Sequence, residues 1–148
     1  MNPVDTLTFL NRLIVTTKNG ESTLEAAAQE AHHAELKSAL EDYAQFFHKA
    51  AEDLTAASQR LGGHPHPRAS FDNTLHRFMM HLRALAYGRN ETTILEDVEQ
   101  EESLADELYA DVPNWDLPDD IRALVMRQGE MARKLHDNVH ALRARLLH

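Results

Sequence analysis

Two glutamates occupy positions that helical periodicity reserves for apolar side chains. Counting back from Ala28 in alternate steps of four and three gives Leu24, Glu21, Thr17, Ile14, Leu10 and Leu7, so Glu21 lies in an apolar stripe. The stripe Leu95, Val98, Glu102, Ala105, Tyr109, Val112 contains Glu102 in the same way, and Ile121, Val125, Gln128, Ala132, Leu135, Val139, Leu142, Leu146 contains Gln128. A carboxylate taken into a protein interior costs several kcal/mol unless a partner offsets its charge. Two facing carboxylates need a proton, a cation or a set of donors between them. The chemistry such a pair invites is metal binding. Inward glutamates from two helices are half of the carboxylate-bridged di-iron pattern, whose other half is Glu-x-x-His on the remaining two.

That other half is incomplete. The nearest matches are Gln45-Phe46-Phe47-His48 and Asp137-Asn138-Val139-His140, or His136 alone. His48 shares a row with Glu41, Ala44 and Ala51, and His136 with Gly129, Ala132 and Val139, where small neighbours leave room. Counted from the turns, Glu102 and Gln128 each lie 13 residues from Trp115, and Glu21 lies 11 from His32. That counting places Glu21, Tyr43 to Gln45, Glu102 and Gln128 in one layer, with Gln128 a further candidate donor. His48 and His136 then fall more than a turn away and reach a cation only if the helices are staggered. A satisfied polar layer, with Tyr43, Gln128 and Tyr109 hydrogen-bonding the acids, is the more common outcome for such a pattern, and both readings stay open.

The elements that must position these residues are helices. Alternating runs of β-branched residues are missing, and Ala, Leu, Glu and Arg dominate. The periodicity predicts helices over residues 3–31, 34–61, 71–87, 91–112 and 118–147. Asn2 and Pro3 suit the start of the first, and Asp5 favours the positive end of its dipole. No Gly or Pro separates the first two. The break is a phase shift: the first stripe, extended past Ala31, meets Glu35, Ser38, Asp42 and Gln45, and the apolar row restarts out of step at Leu36. Gly62-Gly63-His64-Pro65-His66-Pro67 stops the second helix. Four long helices with one apolar seam each imply a single all-α four-helix bundle over residues 1–148. The short helix 71–87 becomes a crossover, and the second and fourth helices run parallel.

The chain has 148 residues, ten histidines, no cysteine and a net charge of −9. The missing cysteine excludes disulfides, thiolate ligands and cysteine nucleophiles, and fits the cytoplasm. The negative charge disfavours binding nucleic acid through a basic surface. No apolar run is long enough to span a membrane, and the first ten residues do not read as a secretory signal. No Gly-rich phosphate loop and no His-Glu-x-x-His pair occurs. His32-His33, His64, His66 and His148 read as turn or terminus residues, and His76 and His81 do not share a face well.

Four stretches together, LNRLIVTTKNGESTLEAAAQEA, ELKSALEDYAQFFHKAAEDLTAASQRLGGHP, LHRFMMHLRALAYGRNETTILEDVEQEESLADELYADV and LPDDIRALVMRQGEMARKLHDNVHALR, cover nearly the whole chain. They resemble a bacterial ferritin-like family of small four-helix-bundle proteins of unknown function. The resemblance rests on Asn19-Gly20-Glu21, on Leu61-Gly62-Gly63, on Leu75-His76-Arg77 and on the spacing of glutamine and histidine in the last helix. It implies a ferritin-like bundle with a crossover segment, and places Glu21 and Glu102 where the superfamily has bridging carboxylates. The chain departs from that pattern at Gln45 and Gln128, where ligand carboxylates are expected. It departs also at Glu101, where a glycine is usual, and at His32-His33-Ala34, where relatives often have Asp-Pro.

The preferred reading is therefore a non-enzymatic or vestigial ferritin-like protein, in which iron or manganese would sit at Glu21 and Glu102. The second is an active di-iron protein oxidising Fe(II) with O₂ or peroxide, with His48 and His136 completing the shell. The third is a helical module that forms homodimers through Phe78, Met79 and Leu82.

Overall fold

The computed structural model describes residues 3–63, 106–112 and 115–146, which are helical apart from their connections; no strand occurs among them. Helix α1 spans Pro3–Glu30, α2 Ala34–Arg60 and α3 Asp119–Leu146, the last being the fifth helix expected from the sequence. The expected helix 71–87, most of 91–112, and the dimer-forming Phe78, Met79 and Leu82 lie outside the described residues.

The phase shift marks a real break. Residues 31–33 are non-helical, and His33 enters α2 with extended backbone (φ −84°, ψ 124°). At the other end of α2, Gly62 takes φ +84°. Its N–H and that of Gly63 bond back to Gln59 O and Ser58 O at 3.0 and 2.9 Å, which caps the last carbonyls. A side chain at Gly62 would be strained in that left-handed conformation.

The stripes face inward as the periodicity requires. Leu10, Leu13, Ile14, Leu24, Leu36, Leu40, Tyr43, Phe47, Leu54 and Val125 are buried. A fully buried apolar side chain of this size contributes roughly 1.5–3 kcal/mol. Thr17, also in the stripe, donates its hydroxyl to Leu13 O at 2.8 Å and to Ile14 O at 3.0 Å, so the buried oxygen is satisfied.

Strand-free architecture leaves helix direction as the topological question. α1 and α2 are antiparallel: Glu21 meets His48, and Gly63 lies against Leu7. α2 and α3 are antiparallel as well, because Gln128 meets Ala50 while Arg145, further along α3, pairs with Glu35 near the start of α2. Residues 106–112 oppose α3, through Tyr109 to Gln128 and Asp106 to His136. They therefore run parallel to α2, as expected. Among the described residues α1 and α3 share no backbone contact, so α2 lies between them. Trp115 fixes the turn into α3. Its indole N–H donates to Asp111 at 2.6 Å, Arg122 donates to its carbonyl at 2.6 Å, and its ring packs on Phe9 with centroids 4.9 Å apart.

Candidate functional site

Glu21 lies at the edge of the α1 stripe, its side chain 20% exposed, facing the groove between α1 and α2. Its Oε2 is 2.9 Å from His48 Nδ1. The other ring nitrogen, Nε2, is 2.8 Å from Oε1 of Glu52, one turn further along α2. On α1, Glu25 lies one turn beyond Glu21. Burial, and then the Glu21 carboxylate beside it, raise the Glu25 carboxyl above its ordinary value, while His48 acts in the opposite direction. Three carboxyl groups and one imidazole thus form a continuous polar row across the groove.

The proton arithmetic of this row is unusual. A neutral imidazole carries one N–H, yet both ring nitrogens meet carboxylate oxygens. Either the ring is an imidazolium, or an acid holds the extra proton, or a cation replaces it. Lys49 on the same helix is engaged by Asp53 at 3.2 Å.

The meeting of Glu21 and His48 corrects the depth counting. Equal distances from the turn paired Glu21 with Tyr43 to Gln45, but Tyr43 is buried in the core and Gln45 is exposed. The reason is the tilt of every Cα–Cβ bond toward the helix N-terminus. In an antiparallel hairpin, side chains of the first helix lean away from the turn and those of the second lean toward it. A residue on α1 therefore meets one several positions deeper on α2. Gly20 shows the same offset: an added Cβ would lie 2.8 Å from the Phe47 ring. His48 thus reaches Glu21 without any slippage of the helices.

A second carboxylate–histidine pair occurs in the other hairpin. His136 Nδ1 is 3.5 Å from Asp106 Oδ2. Burial raises the Asp106 carboxyl above its usual range, against the pull of His136 and Arg133. Gln128 is occupied at both ends. It accepts from the Tyr109 hydroxyl at 3.0 Å and donates to Ala50 O at 3.4 Å. Burial holds the Tyr109 phenol firmly protonated, so it serves as the donor. Open clefts border residues 106–112, one of about 380 Å³ lined by Tyr109, Met126 and Arg133 among others.

Of the sequence-predicted residues, Glu21 and His48 come together, His136 pairs with Asp106, Gln128 joins Tyr109, and Glu102 lies outside the described residues. Glu25, Glu52 and Asp106 were missed. Each stands four positions after a candidate, at Glu21, His48 and Glu102 respectively, and helical i,i+4 adjacency is the signal that could have found them. Among the described residues, no three His, Asp or Glu side chains already converge at metal-binding distances. No described helix is long and apolar enough to cross a membrane.

A family model described as a domain of unknown function (DUF2383) matches residues 5–114. The chain belongs to this family, and the matched region ends before α3. No curated protein matches the chain.

Proposed function

We propose that this protein is a non-enzymatic ferritin-like bundle that holds a divalent cation, iron or manganese, at Glu21 and His48. Two features support the ferritin-like part. Residues 106–112 run parallel to α2, and two successive parallel helices need one long crossover connection, as ferritin-like folds have. α2 also lies between α1 and α3.

The single observation that carries the cation is the 2.9 Å approach of Glu21 Oε2 to His48 Nδ1. Donors roughly 2.1 Å from a metal, in neighbouring octahedral positions, lie about 3 Å apart. One imidazole with carboxylates suits iron or manganese by donor type. Glu25, one turn along α1, is the nearest additional donor. Glu102 is the donor expected from the fourth helix. The cation would supply the positive charge that the row of acids lacks.

Metal analysis of tag-free protein equilibrated with Mn²⁺, or with Fe²⁺ under anaerobic conditions, tests this. One equivalent retained by wild type and lost in Glu21→Gln and His48→Ala is the expected result. Equal retention by all three would refute it. The mirrored Asp106–His136 pair favours a second reading, a two-metal centre. Two equivalents per chain, the second lost in His136→Ala, would select it.

A further inference from the structure

We infer that Glu52 is a positioning residue for the cation site, fixing the His48 tautomer that leaves Nδ1 free to bind. The inference rests on the cation reading above. His48 faces two acceptors, Glu21 at Nδ1 and Glu52 at Nε2, at nearly equal distances of 2.9 and 2.8 Å. A neutral ring can donate to only one of them. Glu52 stands on the same helix, one turn on, so this contact orients the ring about its own backbone. With the proton on Nε2 and directed to Glu52, the Nδ1 lone pair points across the groove to the side where Glu21 lies.

This is the carboxylate–histidine–metal arrangement, in which the outer carboxylate selects the tautomer and raises the basicity of the ligating nitrogen. Glu52 is placed for that task and for little else. Its side chain is 57% exposed, so it contributes little to packing, and Lys49 is already paired with Asp53. A cation entering at Nδ1 displaces only the proton between His48 and Glu21 and leaves the Glu52 bond intact.

Nitrogen-15 spectra of the metal-free protein at alkaline pH read the tautomer directly. Wild type carries the proton on Nε2. Glu52→Ala transfers it to Nδ1, against Glu21, and lowers Mn²⁺ affinity by about 10–100-fold. Glu52→Gln keeps an acceptor for Nε2–H and retains the wild-type tautomer. A proton that stays on Nε2 in Glu52→Ala, or undiminished Mn²⁺ affinity in that variant, overturns the role of Glu52. If wild type takes up no Mn²⁺ while the tautomer shifts as described, the cation reading falls and the orientation of the ring by Glu52 stands.

Discussion

Glu21 and His48, 27 residues apart, meet at 2.9 Å across the groove between α1 and α2 because side chains on antiparallel helices lean in opposite senses relative to their turn. The contact is partly exposed, at 20% for Glu21 and 48% for His48. Exposed ion pairs contribute little to stability, typically about 0–1 kcal/mol. His48→Ala is therefore expected to leave the denaturation midpoint of the metal-free protein nearly unchanged while removing the stabilisation that Mn²⁺ gives. Thermal melts with and without Mn²⁺ measure both. A large loss in the metal-free melt would show that the pair is structural.

Glu25 sets a pH dependence whose sign follows from its raised carboxyl, caused first by burial and then by Glu21. A carboxyl that holds its proton more tightly when folded stabilises the fold below its unfolded value, near 4.5. That contribution is lost as pH rises through the folded value. Glu25→Gln cannot lose it. The stability of the variant relative to wild type should therefore grow from pH 4.5 upward and then level off. Urea denaturation across that range measures it; a difference that does not change with pH contradicts the assignment. In a Glu21→Gln background the slope should shrink, because one cause of the shift is gone.

How much of this was legible beforehand differs by level. The stripes of α1, α2 and α3, the phase break at residues 31–33 and the glycine stop at Gly62 could be read from periodicity and backbone chemistry, since both are local. The candidate acids were visible as interruptions of the stripe. Their partners were not, because pairing counted at Cα depth ignores where side chains point. Tyr43 had the depth but faces the core, while His48 lay deeper and leaned back to Glu21. Gln128 shows the same effect, meeting Tyr109 rather than a residue at equal distance from Trp115.

Gly20 precedes Glu21 and lets Phe47 close on α1. An added Cβ would lie 2.8 and 2.9 Å from two atoms of the ring. Phe47 is itself buried and stacked on Tyr43 with centroids 4.9 Å apart, so it has little room to yield. In an open helix, Gly→Ala gains about 1 kcal/mol. Overpacking of a buried site costs about 1–3 kcal/mol. Gly20→Ala should therefore be neutral to destabilising by up to about 2 kcal/mol. Gly20→Ala with Phe47→Leu should recover part of any loss. A gain of the full helix-propensity term in the single variant would mean that α1 and α2 are not so closely packed at this point.

The buried chain from Tyr109 through Gln128 to Ala50 joins residues 106–112, α3 and α2, and its energetics are asymmetric. Tyr109→Phe removes the donor and leaves the Gln128 carbonyl oxygen in a buried site without it, at a cost of about 1–3 kcal/mol. Gln128→Leu strands the Tyr109 hydroxyl in the same way. Because Tyr109 and Gln128 are both buried, water is poorly placed to replace either partner. Removing both ends together avoids the stranded group, so Tyr109→Phe with Gln128→Leu should lose less than the sum of the single variants. A double-mutant cycle in urea should give a coupling of about 0.5–3 kcal/mol. Strict additivity would mean that the two side chains are not bonded in solution. Gln128 would then be free to serve as the metal donor that its place in the stripe suggested.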